Sequence, residues 1–525
     1  MCGVIGLSYA DPKKDVAGEL VEGSILLQHR GQDACGFAVQ GAVGRSGVAK
    51  GRGLVMDFVQ SESRSINNLR GSEGIGHVRY PTNDNHADSQ IQPIIMDGYH
   101  RTSLSHNGHL TNPQQLKAEL RGDGLEPGDN AGDTELMYLV LISALGVGRE
   151  SEASPSQILS AILEVYRRCQ GSFACICMIP SFGVVAFRDP YGIKPLVFGE
   201  RSLGSSGSDF AIASESVVLQ KLGFEHFQDL KPGQMVLIPS SWRGNHQPHF
   251  HQVVAPQSYA PDIFEYVYLA RADSVIDGIS VYDSRRQMGE ALARAVKSKL
   301  GPAVKAIDCV IPVPDGGYIG ALESARALGK PVSLGFVRNQ HSCRTFIMPN
   351  QEQRLRGVRR KLSTVNAEFQ GRNVLIIDDS IVRGTTSREI VAMARKAGAR
   401  KVYLASLSPA IRFKHIYGID LADEEKLVAH KRTDEEVCAN LGADGLVYLP
   451  LPELVDACQR STVGEGPLGF EVGLFSGNYV TETYPVSPAK SGSERQNSLP
   501  WFHDTAEFGG LHRAACHALR GTRIV

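Results

Sequence analysis

The stretch VLIIDDSIVRGTTS, Val374 to Ser387, decides how the chain is read. Val374 to Ile377 is a continuous apolar run rich in β-branched residues, the pattern of a strand buried on both faces. It ends on two adjacent carboxylates, Asp378 and Asp379. A loop of small and hydroxyl residues follows, with Ser380, Val382, Arg383, Gly384, Thr385, Thr386 and Ser387. REIVAMARKAG then reads as an amphipathic helix stopped at Gly398. Such a strand–loop–helix unit turns backbone N–H groups and the helix dipole toward an anion, and the hydroxyls add donors. There is no G-x-x-x-x-G-K-[ST] pattern, so the loop is not a Walker A loop. Carboxylates beside a phosphate cradle suit sugar hydroxyls and a hard cation such as Mg²⁺. The ordinary alternative is an αβ turn with an N-capping Asp. Two adjacent carboxylates at the end of a buried strand are costly enough to favour the functional reading.

Around this stretch, from about residue 262, strands and helices alternate. RRQMGEALARAVKSKL and GALESARALG read as helices, and DCVIPV, VSLGF and KVYLASL as strands. This succession predicts an α/β unit over 262–485, with a parallel sheet, helices on both faces and a ligand at the strands' carboxyl ends. Residues 1–240 read instead as short strands and turns with a few helices. One helix starts at Ser154-Pro155-Ser156-Gln157, a capping-box pattern, and another, TELMYLVLISALG, follows Asp133. SFACICMIPSFGVVAF is broken by Pro180 and Gly183 and reads as a hairpin rather than a membrane span. The polar stretch Pro239–Pro261 reads as a surface excursion or linker. Residues 486–525 are rich in Ser, Gly and charge, the composition of a disordered tail.

A net charge of −1 over 525 residues supplies no basic field for nucleic acid. MCGVIGLSYADPKKD lacks the basic start and long apolar core of a signal peptide, and no segment is read as spanning a membrane. The ten cysteines are scattered without a C-x-x-C pair, which fits a reduced, cytoplasmic compartment.

The N-terminus carries a second constellation. Cys2 follows an initiator Met of the kind commonly removed before a small residue. Its thiol and a free α-amine would then share one residue. An α-amine titrates at about 7.7–8.0 and can serve as general base for the thiol. A lone Cys is more often a buried apolar residue. In SHNGHL, Asn107 and Gly108 offer a side-chain amide and a backbone N–H, the donors of an oxyanion hole, although N-G is also a hairpin signal. In GHVRYPT, Arg79 offers a planar fork for a carboxylate. Asp133 could receive an ammonium group, and it also sits where the N-cap of the following helix belongs.

These motifs, with LQHRGQD, FRDPYGIKPL, ASESV, FEYVYLARADS and RTFIMPNQ, resemble in identity and order those of the glutamine phosphoribosylpyrophosphate (PRPP) amidotransferase family, from Met1 to about residue 485. VLIIDDSIVRGTTS is similar to the PRPP motif of type I phosphoribosyltransferases, and MCGVIGL to the start of class II glutamine amidotransferases. The resemblance implies an N-terminal nucleophile hydrolase αββα sandwich followed by a phosphoribosyltransferase domain. It implies Cys2 as nucleophile, Asn107 and Gly108 as oxyanion hole, and Arg79 and Asp133 as glutamine clamp. It further implies Asp378 and Asp379 as holders of the PRPP ribose and Mg²⁺, and the loop Val382–Ser387 as the seat of the 5′-phosphate. Arg338 to Lys361 holds seven Lys or Arg against one acidic residue, Glu352. By itself this is a solvated basic face. The resemblance makes it a loop that closes over PRPP, with Arg338 and Arg344 among the phosphate contacts. A homo-oligomer with purine nucleotides as feedback ligands is also implied. Some family members carry an iron–sulfur cluster; no matching ligand set is found here, so none is expected.

The match departs from the family at several places. Where relatives carry an acidic residue followed by a hydroxyl residue in the pyrophosphate loop, this chain reads Pro314-Asp315-Gly316-Gly317. The closing loop reads RNQHSCRTF rather than KNRYVGRTF, GHVRYPT is followed by NDNHAD, and ARPDS becomes ARADS at Ala272. These differences raise the alternatives of a diverged paralogue with a weakened PRPP half or a nucleotide-responsive regulator. They also create an expectation that Gly316 lacks a side-chain contact which the Gly317 N–H replaces in part, that PRPP affinity is weak and coupling leaky, and that Gly316→Thr together with His341→Tyr would tighten both.

Overall fold

The computed structural model describes residues 2–41, 46–80, 88–95, 102–146, 153–180, 182–339, 362–419, 421 and 423–483. The chain divides into two compact units. Of the described residues, one takes those within Met1–Pro261 and Ile416–Asp420 together with 480–483, and the other those within Asp262–His415 and Leu421–Tyr479.

The first unit is a four-layer sandwich. Its strands are β1 (Gly3–Ser8), β2 (Ala34–Gln40), β3 (Ser46–Arg52), β4 (Glu73–Arg79), β5 (Ile94–Ile95), β6 (Ser103–Leu110) and β7 (Gly171–Ile179). Then come β8 (Gly183–Arg188), β9 (Val197–Ser202), β10 (Ser208–Ala213), β11 (Glu225–Asp229), β12 (Gln234–Pro239) and β13 (His249–Gln252). A seven-stranded sheet has the order β11-β9-β10-β1-β4-β2-β3, and a six-stranded sheet the order β13-β12-β8-β7-β6-β5. Strand β7, GSFACICMI, shows why the layers form. Ala174, Ile176 and Met178 point to one side and join Val4, Ile75 and Ile212 between the sheets. Phe173, Cys175, Cys177 and Ile179 point to the other and pack under Met137, Leu141, Ile158 and Ile162 of the helices Asp133–Leu145 (α2) and Pro155–Arg168 (α3). Period-two alternation of residues that are all apolar gives a strand buried on both faces. The opposite outer face is covered by α1 (Ala17–Leu26), through Leu20 against Ile5 and Leu7.

The α3 helix starts as its sequence predicts, with Ser154 and Gln157 closing a capping box. Two expectations change. The N-cap of α2 is Gly132, and Asp133 is the first helical residue, its side chain committed elsewhere. Pro239–Pro261 is not only an excursion, because His249–Gln252 pairs with β12 as the edge strand of its sheet.

In the second unit, β14 (Cys309–Pro312), β15 (Asn373–Asp378), β16 (Lys401–Ser406) and β17 (Gly445–Tyr448) form a parallel sheet in that order. Val374 and Ile376 face Ile390, Val391 and Ala394 of the helix Thr385–Lys396. Helices Val281–Leu300 and Tyr318–Leu328 pack against each other and against the sheet. VSLGF does not form the expected strand: Val332 makes one bridge to Val310, and the extended segment begins at Phe336 and pairs with Leu362–Thr364. Among the described residues no helix is long and apolar enough to cross a membrane. The tail 486–525 lies outside the described residues.

Glu73, at the start of β4, is fully buried, and its carboxylate accepts from Gln40 Nε2 at 2.5 Å and Ser240 Oγ at 3.0 Å. Burial pushes its carboxyl up to about 7, against a smaller opposing pull from these hydrogen bonds. Because the folded value lies above the unfolded one, its stabilising contribution is present below the unfolded value and is lost as pH rises through about 7. Glu73→Gln, with Gln40 turning its amide to accept, should therefore gain stability relative to wild type at pH 8 and not at pH 5, by about 1–3 kcal/mol. Thermal unfolding at the two pH values measures it, and equal shifts at both would contradict it.

Candidate active site

Strand β1 lies between β10 and β4, and the pairing of Gly3 with Val78 sets Cys2 opposite Arg79. Cys2 is half-buried. Its backbone N donates to Asn107 Oδ1 at 3.2 Å, and its Sγ lies 3.9 Å from the Tyr80 carbonyl. Asn107 is fully buried on β6, and with Oδ1 turned to Cys2 its Nδ2 has no acceptor. A buried amide donor left without a partner is costly unless a ligand completes it. Gly108 follows at φ 154°, and a Cβ there would meet the Ser172 carbonyl oxygen at 2.0 Å, so no side chain fits.

Arg79 closes β4, nearly buried, with its guanidinium 3.4 Å from Asp33 and 3.4 Å from Gln90 Oε1. Both contacts are longer than a well-formed charge-assisted hydrogen bond. Asp133, at the first turn of α2, accepts from Leu110 N at 2.9 Å and pairs with His109 Nδ1 at 2.6 Å. Hydrogen bonds from His109 and Leu110 and the His109 charge hold its carboxyl below the ordinary value, against burial, which acts the other way. One face of the unit thus gathers Cys2, Asn107, Gly108 and Arg79 through strand pairing, and ties Asp133 to the end of β6. Sequence reasoning missed Asp33, in LQHRGQD, and His109, in SHNGHL. For His109 the signal was there: it stands two residues from Asn107 on one strand, hence on the same face.

In the second unit Asp378 ends β15, and Asp379 follows it; both are nearly buried. Asp379 N donates to Asp378 Oδ1 at 2.9 Å, and Ser380 Oγ to Asp379 Oδ1 at 2.7 Å. Burial, then the neighbouring Asp379 charge, raises the Asp378 carboxyl well above the usual range. Burial pushes Asp379 up to about 6, partly offset by the Ser380 hydrogen bond and the Arg285 charge. Two buried carboxylates that resist ionising together are a pair prepared for a cation or for hydroxyl donors. After them, Val382 O accepts from Val428 N at 2.9 Å, and Gly384, at φ 70°, turns the chain into the helix beginning at Thr385. A Cβ on Gly384 would meet Val428 Cγ2 at 2.8 Å. That helix has no side-chain cap, so the N–H groups of its first turn, at Thr385, Thr386 and Ser387, are not taken by a capping side chain. Ser387 is buried, whereas Arg383 and Thr385 are half-buried and Thr386 is exposed.

The loop after β14 lies beside this pair, because Pro312 pairs with Ile377. Its Asp315 forms an ion pair with Arg338, at the end of the Phe336–Arg338 segment. One expectation for this loop is overturned, and another meets a steric constraint. With Asp379 as it stands, a Cβ at Gly316 would lie 1.9 Å from its Oδ2, so Gly316→Thr requires that carboxylate to turn; His341, the other half of the expected pair, lies outside the described residues. Gly317 N already donates to Val313 O at 3.1 Å and is not spare. Arg344 and the altered residues 340–343 lie outside the described residues.

A cysteine at the head of a middle strand in a four-layer sandwich, joined in sequence to a parallel-sheet unit with an acidic pair at the end of a strand, is the architecture of an N-terminal nucleophile glutaminase domain followed by a type I phosphoribosyltransferase domain. A family model described as a glutamine amidotransferase domain matches residues 77–221. The amidophosphoribosyltransferase of Saccharomyces cerevisiae is 46% identical over 481 residues, covering 92% of this chain and 92% of its own. That of Escherichia coli is 42% identical over 484 residues, covering 92% and 93%. The structure of glutamine PRPP amidotransferase from B. subtilis, complexed with ADP and GMP, superposes with a TM-score of 0.76 at 31% identity, covering 94% of this chain and 99% of that one. The chain belongs to the amidophosphoribosyltransferase family.

Proposed function

We propose that the chain is a glutamine-dependent amidophosphoribosyltransferase in which Cys2 releases ammonia from glutamine and the acidic pair with its loop holds the PRPP that receives it. The observation that carries the first half is the buried Asn107 Nδ2 without an acceptor, on the same residue whose Oδ1 holds Cys2 N. Once Met1 is removed, the Cys2 amine takes the thiol proton and Sγ attacks the γ-amide carbon. Asn107 Nδ2 and the Gly108 N–H take the developing oxyanion. The C–N bond then breaks, the nitrogen leaves as ammonia with the proton held by the amine, and water hydrolyses the thioester to glutamate. Arg79 receives the α-carboxylate and Asp133 the α-ammonium.

In the second half ammonia attacks ribose C1 of PRPP, pyrophosphate leaves, and 5-phosphoribosylamine forms. Asp378 and Asp379 hold the ribose hydroxyls, and the turn through Ser380, Val382, Arg383, Gly384, Thr385, Thr386 and Ser387 holds the 5′-phosphate. Arg338 is released from Asp315 to meet phosphate, and Arg344 joins it. Among the described residues no group of three or more His, Cys, Asp or Glu could form a closed metal site. A two-carboxylate set fits Mg²⁺, which is held by one or two carboxylates plus phosphate oxygens and water, and which would offset the charge of the leaving pyrophosphate. The nucleotides on the B. subtilis relative support feedback by purine nucleotides here also. A cytoplasmic homo-oligomer completes the proposal. Identities of 46% and 42% over 92% of the chain favour this activity over a regulator without chemistry.

Cys2→Ala should abolish glutamine-dependent product and retain product formation from added ammonia; full glutamine use in this variant would reject the nucleophile. Gly316→Thr by itself should weaken PRPP, because the Asp379 carboxylate has to turn out of its present position to admit the new Cβ. The loss of one charge-assisted contact, about 1.5–3 kcal/mol, corresponds to roughly ten- to a hundredfold in the KM for PRPP. A lowered KM would mean that Asp379 does not need the space at Gly316.

A further inference from the structure

The pairing of His109 with Asp133 has no part in the chemistry described above. The two side chains are partly exposed, at 31% and 18%, and lie on different elements, β6 and α2. The Nδ1–Oδ2 distance of 2.6 Å is that of a charge-assisted hydrogen bond. The same oxygen, Oδ2, also accepts the Leu110 N–H at 2.9 Å. His109 shares the face of β6 with Asn107, which holds Cys2.

We propose that His109 is a built-in competitor for glutamine: its ring occupies the carboxylate of Asp133 that receives the substrate's α-ammonium, so protons and glutamine contend for that carboxylate. This rests on the assignment of Asp133 to the glutamine clamp. A protonated imidazole and an ammonium both need the same negative charge, and placed together they repel. Glutamine therefore binds best when His109 is neutral or turned away.

The surrounding groups give the competition its sign. Hydrogen bonding to Asp133 and its charge raise His109 above the ordinary histidine value, although burial, the largest single influence, and the Lys194 charge act in the opposite direction. His106, the other imidazole near Asp133, is driven down to about 4 by burial and is neutral in the working range. The Cys169 thiol near Asp133 is raised by burial and stays protonated. Of these groups His109 is the one whose protonated form Asp133 favours. Below its pKa each unit of pH should raise the KM for glutamine by up to about tenfold, and above it the KM should level off.

The test is steady-state glutaminase kinetics at saturating PRPP from about pH 6 to pH 8.5, for wild type, His109→Asn, His109→Gln and Asp133→Asn. In wild type the KM for glutamine should fall with rising pH. In His109→Asn it should be flat and, near pH 6, about three- to tenfold below wild type. The kcat profile, governed by the Cys2 amine, should keep its shape, a split that a merely structural His109 would not produce. His109→Gln, which keeps a donor toward Asp133 without a titrating ring, should also be flat and guards against a folding defect in His109→Asn. A wild-type slope of KM in either variant, or a KM raised at every pH, would overturn the proposal. If Asp133→Asn raises the KM while the His109 variants keep the wild-type slope, the competition alone fails. If Asp133→Asn leaves the KM unchanged, the clamp assignment fails and the competition falls with it.

Discussion

The hydrogen bond from Cys2 N to Asn107 Oδ1 is the constraint on which the first unit depends. It joins the start of β1, in the seven-stranded sheet, to β6, in the six-stranded sheet, at Cys2, beside the apolar layer that packs the two sheets together. It also orients an amide. With Oδ1 engaged, Nδ2 points away from Cys2 N and is left without an acceptor. A fully apolar residue at 107 would pack the sandwich more cheaply, so the polar atom there is retained for something other than stability.

The second unit solves a different electrostatic problem with similar economy. Asp378 and Asp379 are placed by a strand whose preceding four residues are apolar, so the backbone that carries them is rigid and the carboxyls have little solvent. Their charge is tolerated only in part, which is why both carboxyls are raised. Gly316 belongs to this arrangement, since the Asp379 carboxylate, as it stands, lies in the space that a Cβ there would take.

What was legible in the sequence follows from the range of the interactions involved. The strand and loop from Val374 to Ser387 were readable because apolar run, acidic pair, Gly384 and helix are contiguous, and each local preference agrees with the fold. Strand β7 was recognised from its breaker residues, and α3 from its capping box. VSLGF failed because an apolar run does not say whether a neighbouring strand has room to pair, and only Val332 found a partner. The Asp133 N-cap failed because Leu110 and His109, distant in sequence, claim the carboxylate instead. The clearance at Gly316 could not be read at all, since it depends on a side chain 63 positions away.

That the free amino-terminal cysteine is the reacting group is tested most directly by intact-protein and peptide mass spectrometry after treatment with a glutamine analogue bearing an electrophile in place of the γ-carboxamide. The arrangement of Cys2 and Asn107 predicts one adduct per chain, on Sγ of Cys2, in chains that begin at Cys2, and none in chains that retain Met1. An adduct on another residue, or equal labelling of chains that retain Met1, would contradict it.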